Sequence, residues 1–172
     1  MKKLLFAVLG LCISSCVFAE SPQMQYIKRM YKESVKLESV PLDRRKTNYD
    51  YYLKYFDSNI REIYERDNGY QNATKTAKAC IDYDVLWQGN DLNPKAKLTF
   101  IQPSADQVKV TIGATKGLEK RSVTYQVECQ KDGNCKITEI FESGKPFTEE
   151  ISKCLNKILR TEITKHRNIR NK

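Results

Sequence analysis

Histidine is almost missing: the 172 residues hold one, His166, close to the C-terminus. A Ser or Cys nucleophile therefore has no imidazole partner inside the fold, which removes the triad chemistries. Glycine is scarce, seven in all. The nearest approach to a phosphate loop, Gly113-Ala114-Thr115-Lys116-Gly117, lacks the spacing and reads as a hairpin. Metal sets are lacking too. Five residues separate Cys129 from Cys135 and His166 is remote from both, a poor basis for zinc. The acids around Asp82 do not follow the calcium-loop pattern. No cofactor is indicated. Internal repeats and flexible linkers are absent, and past the N-terminus no long apolar run occurs.

That N-terminus reads as an export signal. Lys2 and Lys3 start it, Leu4 to Val17 is apolar without charge, and Val17-Phe18-Ala19 offers a signal-peptidase site before Glu20-Ser21-Pro22. The run is too short to span a bilayer comfortably, which takes ~20 apolar residues. Residues 1–19 are the expected signal and 20–172 the mature domain. A rival reading remains open: Ile13-Ser14-Ser15-Cys16 fits the pattern before a lipidated cysteine, which would tether the protein through Cys16. The end at Ala19, and the bulk of Phe18 so close to a lipid anchor, favour the soluble form. The expected location is periplasmic or secreted, at a membrane only if Cys16 is lipidated.

Without the signal 153 of the 172 residues remain, enough for one domain with a real core, and the formal +9 drops by two to +7. Export removes nucleic acid as the partner of this charge, leaving headgroups, wall carboxylates and acidic proteins. Four cysteines survive: Cys80, Cys129, Cys135 and Cys154. In an oxidising compartment they read as two disulfides. Alternation over Ser122 to Cys129 predicts a strand, and Cys135 to Phe141 a second. A three-residue loop, Lys131-Asp132-Gly133, pairs Gln130 with Asn134 and sets Cys129 opposite Cys135, close enough for a bridge. Cys80 is then left for Cys154.

Helices come first along the mature chain. Met24, Ile27, Met30, Tyr31 and Leu37 form one stripe, closed at Pro41. Tyr49, Tyr52, Leu53, Phe56, Ile60, Ile63 and Tyr64 continue the 3.6 period as a second helix, with Thr47 or Asn48 as cap. Eight of the ten tyrosines lie between Tyr26 and Tyr70, at core spacing rather than as a ligand groove. A short helix is expected over Ala73 to Cys80. Strands follow at Lys97 to Ile101, Gln107 to Ile112, Arg121 to Cys129 and Cys135 to Phe141, antiparallel because their separators are short. Pro146 ends the last one. Thr148 is the expected cap of a closing helix with Glu149 and Glu150 in its first turn. The helix ends in a basic stretch over about 160–172 that includes Arg160, Lys165, Arg167 and Arg170. The fold class is α+β: N-terminal helices on a four-stranded antiparallel meander, closed by a C-terminal helix.

Helices, then Asp82-Tyr83-Asp84 and Trp87-Gln88-Gly89-Asn90-Asp91, then Val123-Thr124-Tyr125-Gln126-Val127 and Asp132-Gly133-Asn134-Cys135-Lys136-Ile137-Thr138-Glu139-Ile140 resemble an uncharacterised bacterial family. It is a domain of unknown function, made of secreted domains with the nuclear-transport-factor-two-like cone fold. The resemblance covers roughly Tyr26 to Leu155. It implies a curved sheet wrapped on helices around a conical pocket, and pairing of two copies through their sheets. Cys135 departs from it, standing where the family often places an aromatic. The resemblance carries a fold and no mechanism.

Two functions follow. The first is a non-catalytic envelope protein that binds another protein, an acidic one on grounds of charge, as inhibitor, immunity protein or accessory subunit. The second is a pocket protein, or a carboxylate-based isomerase- or hydrolase-like enzyme, with Asp82, Tyr83, Asp84, Trp87 and Asp91 around its mouth. Asp–Tyr pairs in apolar pockets can transfer protons, because burial raises the carboxyl pKa. The plainer reading of those acids is turn capping.

Overall fold

The computed structural model describes residues 20–38, 40, 48–74, 79–89 and 94–170; at 38, 48–50 and 162–170 it describes the backbone alone. The expected break at Pro41 lies outside the described residues, as do Thr47, Asp91, Cys16 and the rest of the signal.

The described chain is α+β. Helix α1, Pro22–Glu38, begins where the Ser21 hydroxyl accepts the Met24 amide at 3.1 Å, the usual N-cap bond. Met24, Ile27, Met30 and Tyr31 of its predicted stripe are buried, and Leu37 is half-buried. The second expected helix is divided in two, α2 at Asn48–Leu53 and α3 at Ser58–Thr74. The cause lies in the backbone between them. Ile137 donates to the Tyr55 carbonyl at 2.9 Å, and Asp57 donates to the Ile137 carbonyl at 3.0 Å, so this stretch joins the sheet briefly. Asp57 then caps α3 through the Ile60 amide, 2.9 Å away. Of the short helix expected over Ala73 to Cys80, residues 75–78 lie outside the described residues; Ala73 and Thr74 belong to the end of α3, and Ala79 and Cys80 form a bend.

Five strands form one antiparallel sheet in sequence order: β1 Leu98–Ser104, β2 Gln107–Ile112, β3 Arg121–Cys129, β4 Cys135–Glu142 and β5 Lys145–Pro146. The predicted four gain a fifth of two residues, because Phe141 pairs with Pro146 and Glu142 with Lys145. Pro146 therefore closes a hairpin instead of ending the sheet. On one face Val108, Val110, Ile112, Val123, Tyr125, Val127, Ile137 and Ile140 are buried, against α1, which lies across β1 to β4. Gln126 faces Glu139 while Val127 faces Ile137, which makes Thr138 the extra residue of a bulge. The opposite face carries half-exposed Lys109, Thr111, Ser122 and Thr124.

Helix α4, Phe147–Arg170, packs on α3, β4 and β5 through Phe147, Ile151 and Leu155. Thr148 does not cap it. Glu139 of β4 does, accepting the Thr148 amide at 3.2 Å and the Thr148 hydroxyl. An acid here also suits the positive end of the helix dipole.

Candidate functional site

The segment from Ala79 to Gly89 crosses between α3 and the sheet, and its sequence dictates how. Cys80 and Cys154 are disulfide-bonded, with α-carbons 5.9 Å apart, which ties the segment to α4. Cys129 and Cys135, a directly opposed pair at the β3–β4 hairpin, form the second bridge. Val85, Leu86 and Trp87 are apolar and turn into the core, Leu86 and Trp87 completely. Their amides need acceptors at that bend. Asp84 supplies them: its Oδ1 accepts Leu86 at 2.8 Å and Trp87 at 3.0 Å. The Asp84 and Gly89 backbones bond to each other at 3.1 and 3.3 Å and close the loop. Gln88 takes a left-handed φ of 52° there, held by its amide donating to the Val85 carbonyl at 2.6 Å.

A cleft of about 320 Å³ opens beside this loop, lined by Tyr52, Tyr64, Asp67, Ile81, Tyr83 and Asp84 among others. Its acids are already engaged. Besides its two amides, Asp84 accepts the Tyr52 hydroxyl through Oδ2 at 2.9 Å. Asp67 is 3% exposed and accepts the Cys80 amide at 2.7 Å and the Gln71 side chain at 2.8 Å. Glu142, at the end of β4 and outside the cleft lining, accepts the Tyr83 hydroxyl on one oxygen and Gln88 Nε2, at 2.8 Å, on the other. Burial, then the Glu142 carboxylate, push the Tyr83 phenol far above its ordinary pKa; burial, then the charge of Asp84, do the same to Tyr64. Both phenols stay protonated at any physiological pH.

The predicted site residues thus part company. Tyr83 and Asp84 meet at the cleft. Asp82 is exposed and does not line it. Trp87 belongs to the core: its Nε1 donates to Ser34 at 2.9 Å, its ring meets Tyr31 edge-on, and its carbonyl accepts Arg121 Nε at 2.6 Å. Arg160 is exposed on α4, while the side chains of Lys165, Arg167 and Arg170 lie outside the described residues. Sequence reading missed Asp67 and Glu142. Each left a signal. Asp67 follows Ile60, Ile63 and Tyr64 on one helical face, and Glu142 follows Ile140 on the buried side of β4.

Among the described residues no group of three His, Cys, Asp or Glu side chains is placed to hold a metal. No described helix is long and apolar enough to cross a membrane. No family model, curated protein or solved structure matches this chain.

Proposed function

We propose that the protein is a non-catalytic, exported binding protein of the bacterial envelope, holding an acidic protein partner as an inhibitor, immunity protein or accessory subunit does. One observation carries the reading: the carboxylates of Asp67, Asp84 and Glu142 already accept hydrogen bonds on both oxygens, in turn-holding and loop-holding roles. A general base needs a lone pair directed at substrate, and these acids spend theirs on the fold. The formal charge of +7, left when the signal's two lysines are subtracted from +9, and the basic end of α4 favour an acidic partner, whose encounter such charge would speed and orient. The two disulfides are compatible with a periplasmic or extracellular location. The signal at 1–19 and the cone-like wrapping of the sheet on its helices belong to the same proposal.

The test is retention of partners from envelope extract by the wild type and by an Arg160→Glu/Arg167→Glu/Arg170→Glu variant, at low and high salt. The reading expects an acidic protein held by the first, lost by the second and released by salt. Equal retention by both would clear the basic end of a role. A second reading keeps one observation in its favour: Tyr52, Tyr64, Ile81 and Val85 give the cleft beside Tyr83 an aromatic, apolar wall. No protein partner, together with an ordered small molecule beside Tyr83 in a crystal, would put that reading first.

A further inference from the structure

Where the loop leaves the cleft, its other side meets a second cavity, and here the hydrogen bonding is incomplete. Arg121 opens β3. Its Nε donates to the Trp87 carbonyl at 2.6 Å and its Nη1 to the Glu119 carbonyl at 3.2 Å, while Nη2 is buried with no partner among the described residues. Two neutral carbonyls do not balance a guanidinium, which cannot shed its proton. A buried donor left unmet costs ~1–3 kcal/mol, and more when charged, so it calls for an explanation.

Arg121 lines a cavity of about 510 Å³ with Lys109, Lys120, Ser122, Thr124 and Ser143 among its walls, and no carboxylate. The sheet register assembles it. Lys109 pairs with Thr124 and Thr124 with Phe141, one row across β2, β3 and β4 on the open face. The Ser143-Gly144 turn, both residues at positive φ, closes one end. Neither lysine makes an ion pair among the described residues. Lys120 also borders an adjoining cavity of about 290 Å³ with Lys97, Thr99 and Thr111. The basic lining therefore continues along the face.

We propose that this cavity is a binding site for a phosphate group, held by Lys109 and Lys120 with the hydroxyls of Ser122, Thr124 and Ser143, in the field of the Arg121 guanidinium, which has no counter-charge among its partners. The donor set suits a tetrahedral dianion better than a carboxylate. A carboxylate is best met by the two-pronged guanidinium edge, and Arg121 offers none here: two of its nitrogens are taken and the third is buried. Point charges from two lysines and short hydroxyl arms converge from several directions, as a phosphate accepts them. The adjoining cavity leaves room for the rest of a phosphorylated ligand. The site is independent of the protein-binding reading and can stand if that reading falls.

The test is a titration of the intact, disulfide-bonded protein with inorganic phosphate, followed by backbone NMR at constant ionic strength beside a chloride control. Saturable shifts are expected around Lys109, Lys120 to Ser122, and Ser143-Gly144, absent with chloride. A Lys109→Gln/Lys120→Gln variant should bind at least tenfold more weakly; it leaves the Arg121 bonds that hold the loop intact, so folding does not confound it. Sedimentation with anionic phospholipid vesicles separates the sources of the phosphate. Capture that needs the two lysines, together with saturable phosphate binding, assigns a lipid headgroup; phosphate binding without capture assigns a soluble phosphorylated ligand. Shifts that never saturate, that chloride reproduces, or that the variant retains in full would sink the proposal.

Discussion

The two sides of the loop from Tyr83 to Gly89 are built from similar parts to opposite ends. On the cleft side, Asp67 and Asp84 meet donors on every carboxylate oxygen, and the phenols around them are held neutral. On the sheet-rim side, Arg121 keeps an unmet donor, and the two lysines beside it make no ion pair among the described residues. The contrast separates polar residues that serve folding from polar residues available to a ligand. Polarity and burial alone do not distinguish them; the count of satisfied partners does.

Alkali gives the largest test of the satisfied side. Burial raises the phenols of Tyr31, Tyr64 and Tyr125 well above their ordinary value and takes Tyr26 to about 12. A phenol with a raised folded pKa stabilises fully below the unfolded value near 10, and that stability is lost as pH climbs toward the folded value. Stability should therefore fall from about pH 10 upward, by about 1.4 kcal/mol per pH unit for each such tyrosine. Denaturation followed with tyrosinate absorbance checks it; a flat stability between about pH 10 and 11 would mean the phenols are not held as described.

Next in size are the two disulfides, which close loops of very different span, with sequence separations of 74 and 6. On the chain-entropy model, replacing Cys80 and Cys154 by Ala should cost ~4 kcal/mol, and replacing Cys129 and Cys135 ~2. Urea midpoints of the two double variants rank them. Because the longer bridge anchors the loop, its loss should also broaden the signals of Tyr83 and Asp84, whereas loss of the hairpin bridge should leave them sharp.

Asp84→Ala should cost about 2 kcal/mol, since it strands the Leu86 and Trp87 amides at a buried bend. Smallest is the effect across the loop. Lys109→Gln with Lys120→Gln should change stability by less than ~0.5 kcal/mol, because neither side chain has an ion pair among the described residues to lose. A large loss there, read from the same urea midpoints, would erase the distinction between the two sides.

Much of this frame was legible beforehand, and the reasons are local. Gln107 to Ile112 and Arg121 to Cys129 alternate cleanly and form strands at those bounds, because one face of the sheet is buried and the other is not. Gly133, at φ 83°, and the Gln130–Asn134 bond of 2.9 Å set Cys129 opposite Cys135 as the turn residues require. The split between α2 and α3 was hidden, since both helices face one core and the apolar period runs on through Phe56. Only the distant backbone of Ile137 reveals the interruption. Asp84 carried a visible turn role, but the roles of Glu142 and Arg121 depend on which groups the folded loop brings to them. No window along the chain contains that information.

The outermost strands of the sheet carry a further consequence, for self-association. β1 contains Pro103, which has no amide to offer, and its register is interrupted between Ile101 and Ser104. β5 is two residues long, includes Pro146 and runs straight into α4. Neither border presents the long, regular ladder that a foreign strand needs as a template. Sheet continuation into fibrils or edge-joined dimers is thus discouraged at both ends. A second copy of this chain would have to meet the first through a face, and the open face is the one whose lysines would then repel each other.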